Sequence, residues 1–468
     1  MNENITKDNK IEKLISHPKR SIIGLSIPMI ISLLLTIVNN IADAMWVSGL
    51  GANALAAIGI VTPLFIITIG VGVGLTAGVN SSVARFIGAG KFKEAGNSSV
   101  HGLILSVIVS IIIPLLIIIF MNPIICIIGG AKVLTLAREY CFWIMLGSFS
   151  VIITNVFSGV YRSENKRLKS TAPLAVSAIL NIILDPIFIY PSVNLGIIIP
   201  GLNFGVAGAA IATVLANIIG LLIYLYWTYI RNDTTIDMRT YHRSRAIYKD
   251  ITDVAVPASM EQILMSIFSM VINVILVMVA STTSVAIFTT VWRIVSIGIM
   301  IPVGIGTGAI SIFGALYGAK MFKKIMEMFK FTHIIGFIAT FAVAALIVLS
   351  SNQIALLFGG AGLNTEIAQV TVLLSAYVVF SSLSIISGFI FQSFGKGSYS
   401  LFFTLLKQII LTIICIFCFI SLKDTGVYYG IILANFIGGI IEIAFAYFYT
   451  RRLLNYYKNN FDEVETSI

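Results

Sequence analysis

Two acidic residues lie inside apolar stretches of the sequence, and they are the residues best placed to do chemistry. Asp185 lies in the stretch Leu180–Tyr190, four residues after Asn181, so the two side chains share one face of a helix. Asp43 lies in a second apolar stretch far away in the chain. An ionisable group inside a membrane helix is costly, so its presence indicates a functional site. The acids Asp43 and Asp185 therefore define the candidate site.

The chemistry predicted for these acids is the binding of a small cation. At a rise of about 1.5 Å per residue, Asp43, Asp185 and Thr213 all lie roughly 8–12 Å below the outer ends of their predicted spans. Two carboxylates in apolar surroundings cannot both stay charged and unpaired, so they take up protons or a metal cation. Oxygen ligands suit a hard cation such as Na⁺. Further polar candidates near this level are Asn39, Asn40, Asn181 and Asn217.

Two simpler roles for these residues stay open at this stage. Asp43 and Asp185 could hydrogen-bond backbone groups at helix irregularities, such as the one expected beside Pro186. Asn181 and Thr213 could hydrogen-bond between helices without holding an ion. The candidate set contains no His or Cys, so we expect no transition metal and no cofactor other than the coupling ion, Na⁺ or H⁺.

Composition makes the chain a polytopic membrane protein. Only 11% of the 468 residues are charged, against about 25% in soluble domains, and the mean hydropathy is +1.00. Twelve apolar runs are long enough to span a bilayer. They lie at about 21–47, 55–80, 98–120, 140–160, 171–190, 206–230, 251–280, 285–313, 332–350, 367–391, 400–421 and 427–449.

The basic residues predict how these spans are oriented. The termini and the even-numbered connections hold 26 of the 30 Lys and Arg residues, so both termini are expected in the cytoplasm of a cell-membrane protein. The net charge of +10 is therefore an insertion signal, and no nucleic-acid partner is expected. The predicted partners are the lipid bilayer and a small organic substrate, and the protein is expected to be a monomer.

The longest internal hydrophilic stretch divides the chain into two similar halves. Pro28 matches Pro257 at an offset of 229, and Gly88 matches Gly318 at 230. The expected division is a cytoplasmic tail (1–20), an N-lobe (21–231), a linker (232–250), a C-lobe (251–450) and a second tail (451–468). Six spans per half place the halves as parallel repeats, which is typical of transporters. The predicted fold class is all-α, with twelve transmembrane helices in two six-helix lobes.

The second half lacks the acidic site. The positions that correspond to Asp185, Asn181 and Thr213 hold Cys415, Leu411 and Ile431, and the position of Asp43 corresponds to Ile272 or Asn273. Ion coupling is therefore expected in the first half only.

The second half has charges of its own, whose role the sequence leaves open. They are Glu261, Arg293, Lys407 and Glu442. Lys407 could neutralise either glutamate as a structural ion pair, or these groups could bind substrate or ion. Pro28 and Pro257 interrupt the first helix of each half and are predicted hinges.

Several segments together resemble the multidrug and toxic compound extrusion (MATE) transporters. They are the Ile-Pro opening of span one, Ala-Asp-Ala-Met-Trp-Val at its end, Phe-Ile-Gly-Ala-Gly-Lys after span two, and Leu-Asp-Pro-Ile-Phe-Ile-Tyr followed by Gly-Val-Ala-Gly. The resemblance implies antiport by alternating access, in which Na⁺ or H⁺ enters while organic, often cationic, compounds leave. It also implies that Asp43, Asn181, Asp185 and Thr213 form the cation site, accompanied by Tyr140.

Two other functions compete with this interpretation. A lipid-linked oligosaccharide flippase of the same superfamily would need a cationic cavity for pyrophosphate, and only Arg293 and Lys407 are available for one. An intramembrane aspartyl protease also pairs two aspartates. Its Gly-x-Gly-Asp context is absent here, because Ile-Ile-Leu precedes Asp185. We expect a transporter rather than an enzyme, and the sequence does not choose between Na⁺ and H⁺ or identify the drug.

Overall fold

The fold is a set of long helices, and the computed structural model describes residues 15–194, 198–358 and 362–465. Residues 1–14 of the expected first tail and 466–468 of the second lie outside this part of the chain. The helices of the first half are α1 (Pro18–Ser48), α2 (Ala52–Gly88), α3 (Phe92–Ile127), α4 (Leu134–Ser163), α5 (Ala172–Ile189) and α6 (Gly205–Leu225). A π-helical turn, Tyr226–Ile230, extends α6.

The second half repeats this plan. Its helices are α7 (Arg245–Val279), α8 (Thr282–Gly318), α9 (Phe322–Leu349), α10 (Ser351–Phe358), α11 (Asn364–Ser393), α12 (Gly397–Leu405), α13 (Thr412–Phe419) and α14 (Lys423–Glu465). The π-helical segment Leu406–Leu411 joins α12 to α13, so these two helices form one span.

The last helical region contains two spans rather than one. Eleven helical stretches in the described ranges are long and apolar enough to cross a membrane, and the last of them covers 61 residues, Gly397–Tyr457. Lys423 has a φ of +55° and interrupts it. Gly430 packs on Ile416, each seven residues from Lys423, and Gly426 packs on Phe419 nearer the turn, so the two helices form an antiparallel hairpin. The twelve expected spans are therefore present.

Many helices are longer than the apolar runs that predicted them. Helix α2 continues to Gly88, eight residues past the expected end, because its polar end is hydrogen-bonded rather than solvated. The Ser82 hydroxyl, for example, donates to Asp250 Oδ2 at 2.6 Å. The stretch 451–465, expected to be a tail, continues α14 as helix.

Three short elements were not predicted. A 3₁₀ turn, Gly130–Val133, precedes α4, and the two-turn helix α10 follows α9. Strands β1 (Ser192–Asn194) and β2 (Ile198–Pro200) form an antiparallel hairpin between α5 and α6, with Val193 opposite Ile199. The hairpin adds a small β element to a fold that was expected to be entirely helical.

By packing, the chain divides into two compact units. The N-unit comprises residues 31–83 and 91–263, and the C-unit comprises 1–30, 84–90 and 264–468. Two of the boundaries lie inside α1 and α7, two residues after Pro28 and six after Pro257, and the other two flank residues 84–90 at the end of α2. Each first helix therefore contributes to both units, whereas the sequence-based lobes were divided at the linker 232–250. Pro28 and Pro257 therefore lie close to the residues at which α1 and α7 pass from one unit to the other, and a proline can bend a helix at such a point.

Each unit has its own apolar core. In the N-unit, Ile144 and Val61 are among the buried residues that join α2, α4 and α6. In the C-unit, Phe288, Tyr428 and Leu374 join α8, α14 and α11. These cores position the polar side chains discussed below, because a helix whose apolar face is buried cannot rotate.

Two glycines allow a close helix contact within the C-unit. A Cβ atom at Gly88 would lie 1.9 Å from the Ala315 carbonyl oxygen, and one at Gly318 would lie 2.0 Å from the Arg85 carbonyl oxygen. The two contacts are reciprocal, because Gly88 and Gly318, like Arg85 and Ala315, are 230 residues apart. The ends of α2 and α8 therefore meet backbone to backbone, and only glycine fits at either position.

Candidate cation site

The two acids come from different helices and meet within the N-unit. Asp43 lies five residues before the end of α1, and Asp185 lies four residues before the end of α5. Asp185 is fully buried, and its carboxyl group is within hydrogen-bonding reach of that of Asp43. In the described part of the chain, neither acid is paired with a lysine, arginine or histidine.

One carboxyl oxygen of each acid lacks a hydrogen-bond donor. Asp43 Oδ1 and Asp185 Oδ2 are both buried without a hydrogen-bond partner. Two ionised carboxylates have no proton to share, so their oxygens can be satisfied only if one group is protonated or a cation lies between them. Leaving both charged and unpaired would cost several kcal/mol, of the order measured when a buried ion pair loses one partner. The geometry is therefore suited to taking up one positive charge.

Asn181 links the acidic pair to its neighbours. Its Nδ2 donates to Asp185 Oδ1 at 2.7 Å, one turn away on the same helix. Its Oδ1 accepts from Asn39 Nδ2 of α1 at 2.9 Å and from the Thr213 hydroxyl of α6 at 3.4 Å. Asn181 is only 2% exposed, so the amide at the centre of this network is buried. Three helices are thus held in register by one amide.

Tyr140 lies on the fourth helix around the site. It is buried near the start of α4, close enough to Asp43 and Asp185 to interact with both electrostatically. The structure therefore brings together all five residues predicted for cation binding, from α1, α4, α5 and α6. Their role as ion ligands stays a prediction.

The accessory asparagines separate into two groups. Asn39 belongs to the network, and its own Oδ1 is buried without a partner. Asn40 is exposed on α1, and Asn217 donates only to the Thr213 carbonyl of its own helix, at 2.8 Å. Successive residues on a helix point about 100° apart, so Asn39 and Asn40 flank Asp43 on opposite sides. Only the Asn39 side faces α5.

Contacts that the sequence did not indicate hold these helices together. The Tyr190 hydroxyl donates to the Trp46 carbonyl and so joins the end of α5 to the end of α1. A Cβ atom at Gly208 of α6 would lie 2.4 Å from the Phe188 carbonyl oxygen of α5, so α5 and α6 approach as closely as backbones can. Aromatic and glycine residues are common in membrane helices, so neither contact has a specific sequence signal.

The corresponding positions of the second half are part of an apolar core. Ile272, Cys415 and Ile431 are all at most 5% exposed. Asn273 is the polar exception, and its Oδ1 is buried without a hydrogen-bond partner. No acid occupies these positions.

The remaining charged candidates lie on α7, α8, α14 and the segment between α12 and α13. Glu261 lies on the part of α7 that belongs to the N-unit, and Arg293 is exposed on α8. Lys407 and Glu442 are both buried in the C-unit and are connected through the Ser384 hydroxyl. The sequence left both glutamates open as partners of Lys407, and the structure connects it with Glu442.

Substitution of Asn181 should weaken ion binding, because its amide is the donor to Asp185. Loss of a hydrogen bond to a charged group costs about 1.5–3 kcal/mol, so Asn181→Ala should raise the ion concentration for half-maximal transport about 10- to 100-fold. Ion titrations of efflux in reconstituted vesicles measure this shift. Asn217→Ala is the matched control, since its amide bonds only its own helix, and equal shifts in the two variants would contradict the assignment.

The fold and the site define the class of protein, a multi-pass membrane transporter built from two repeats. A model of the MatE family matches residues 28–187 and 257–418, so each match begins at one of the two prolines that the sequence predicts to be hinges. Because the matches cover more than half of the chain, the protein belongs to the MatE family.

Individual relatives agree with this assignment. A crystal structure of MATE in the straight conformation superposes with a TM-score of 0.90 at 32% identity, covering 95% of this chain and 99% of that one. The multidrug export protein MepA of Staphylococcus saprophyticus is 24% identical, over 92% of this chain and 93% of its own. The FAD transporter of Shewanella oneidensis is 26% identical over 55% of this chain and 56% of its own length, so the match spans just over half of that relative.

Proposed function

We propose that the protein is a secondary antiporter that exports organic, often cationic, compounds in exchange for Na⁺ or H⁺. The observation that carries the proposal is the pair Asp43 and Asp185, each of which has one buried carboxyl oxygen without a donor. A site that takes up one positive charge can exist in two states, loaded and empty. A gradient of that cation across the membrane then supplies the free energy for export.

The coupling follows from competition for the same negative charge. When Asp43 and Asp185 hold a small cation, their negative charge is no longer available to attract an organic cation. When the ion leaves, two uncompensated carboxylates remain in apolar surroundings, and an organic cation can compensate them. Exchange by alternating access requires that only one of the two cargoes be bound in each crossing. The protein is proposed to lie in the cell membrane with both termini in the cytoplasm, and to function as a monomer.

The relatives suggest two substrate classes. MepA is named a multidrug export protein, which favours diverse organic compounds. The Shewanella oneidensis relative is named a FAD transporter, which favours an anionic flavin dinucleotide. The acidic site in the N-unit favours the organic cations. Competition between ethidium and FAD in one transport assay would distinguish the two classes.

The proposal is tested by supplying the two ion gradients separately. Purified protein is reconstituted into vesicles loaded with a fluorescent organic cation, and a Na⁺ gradient or a pH gradient is then imposed. We expect one gradient to drive dye movement at least tenfold faster than in vesicles without protein. If neither gradient, alone or combined, moves the dye or FAD, the antiport proposal is wrong.

A further inference from the structure

A second buried charged site lies in the C-unit, outside the cation site described above. Lys407 lies in the π-helical segment between α12 and α13, and Glu442 lies on α14. Their side chains are 6% and 1% exposed. Between them is Ser384 of α11, which was not singled out by the sequence. Charged groups at this depth are costly unless they have a function or are well paired.

The hydrogen bonds through Ser384 run in one direction. Lys407 Nζ donates to the Ser384 hydroxyl oxygen at 2.6 Å, and the Ser384 hydroxyl donates to Glu442 Oε2. The ammonium and carboxylate groups are therefore connected through one hydroxyl in a continuous chain of hydrogen bonds.

The surrounding backbone is shaped to accommodate these two side chains. A Cβ atom at Gly438 would lie 2.8 Å from Lys407 Cγ, so glycine leaves room for the lysine stem. A Cβ atom at Gly388 would lie 2.8 Å from the Ser400 hydroxyl oxygen and 3.4 Å from Glu442 Oε1. The π-helical turn allows the Thr412 hydroxyl to bond the Lys407 carbonyl at 2.9 Å. Such turns occur frequently at functional sites.

Polar side chains continue from this site toward the end of α11 at Ser393. Ser387, one turn beyond Ser384, is 3.0 Å from His333 Nε2 of α9. Gln392, one residue before the end of the helix, donates to Ser400 at 3.3 Å. Other titratable groups on the packed helices include Tyr399 of α12, Cys415 of α13 and Tyr449 of α14. Polar side chains therefore recur at successive turns of α11 between Ser384 and the end of the helix.

We infer that Lys407, Ser384 and Glu442 form a second proton-binding site, in which Glu442 takes up a proton from water while Lys407 stays charged. The inference deepens the proposed antiport and rests on it. Protonation of the Glu442 carboxylate changes the site from neutral to a net charge of +1, without any bond other than the new O–H. The C-unit then gains a positive charge that is linked to pH, although it lacks the paired acids of the N-unit.

The direct test is infrared difference spectroscopy on the full-length protein in lipid while the pH is stepped. Protonation of Glu442 should produce a carboxylic C=O band that is absent in Glu442→Gln. Ser384→Ala keeps both charges but removes the donor to Glu442, so this band should move to higher frequency. Ser381→Ala is the matched control on the same helix, since its hydroxyl donates only to the Val378 carbonyl, and it should leave the band in place.

Glu442→Gln leaves the Lys407 charge buried and could prevent folding, so a charge-balanced variant is needed. Lys407→Met combined with Glu442→Gln should fold and retain transport, but with a flatter pH dependence. Wild-type pH dependence in this double variant, or the lack of any Glu442-dependent band, would overturn the inference in favour of a structural ion pair. A Glu442 band that persists in Asp185→Asn protein, where transport is lost, would show that the two sites titrate separately. If only the antiport proposal were wrong, the Glu442 band would still be present, but no ion gradient would drive dye movement in the vesicle assay.

Discussion

Replacing Asp185 with asparagine should abolish ion-driven export while the protein remains folded. The amide has nearly the size of the carboxyl group but cannot carry the negative charge that the cation must balance. Asp43 then has no second acid to share an ion with, and its partner on α5 becomes a neutral group. We expect efflux in the vesicle assay to fall at least tenfold, and Asp43→Asn to have the same effect.

The control for this prediction is Asp253→Asn. Asp253 is exposed on α7, so the same chemical change there should leave efflux within about twofold of the unmodified protein. Thermal unfolding in detergent confirms that each variant is folded. Ion-driven efflux at the normal rate in either Asp43→Asn or Asp185→Asn would show that the buried pair is not the coupling site.

The second large effect is expected from Gly88→Ala, because the new methyl group would overlap the Ala315 backbone. The Cβ would lie 1.9 Å from a carbonyl oxygen, and no rotamer change can relieve a clash with backbone. Overpacking of this kind costs roughly 3 kcal/mol, more than the gain of about 1 kcal/mol from helix propensity. The free energy of unfolding should therefore fall by about 2 kcal/mol, as measured by denaturation in mixed micelles.

Gly59→Ala makes the same change on the same helix without the contact. Gly59 is exposed, and no atom lies within 4 Å of the position of its Cβ, so alanine should leave stability equal or slightly higher. Gly318→Ala should behave like Gly88→Ala, because its Cβ would lie 2.0 Å from the Arg85 carbonyl oxygen. If Gly88→Ala and Gly59→Ala unfold alike, α2 and α8 are not in contact through their backbones.

The sequence predicted the spans and the acidic site for the same physical reason. An apolar run of about 20 residues has few alternatives to a membrane helix, and an acid within such a run is conspicuous. Asp43, Asn181, Asp185 and Thr213 were identified on this basis, and the structure places them together. The helix ends were less predictable, because polar residues such as Ser82 look like loop residues until their partners are known.

Ser384 shows why other functional groups were missed. Most buried serines here donate to a carbonyl of their own helix, as Ser381 and Ser382 do. Such a hydroxyl satisfies itself locally and says nothing about neighbouring helices. Ser384 has the same residue type and a similar context, but it bonds Lys407 and Glu442. The distinction depends on which helices are adjacent, and one sequence does not encode that in any local pattern.

The reciprocal contact of Gly88 and Gly318 bears on the origin of the protein. Each half has a glycine at the corresponding position, and each glycine packs against the corresponding backbone carbonyl of the other half. Two separate copies of a single six-helix chain could make this contact equally well around a twofold axis. An ancestral homodimer could therefore have possessed this interface before its gene was duplicated and fused.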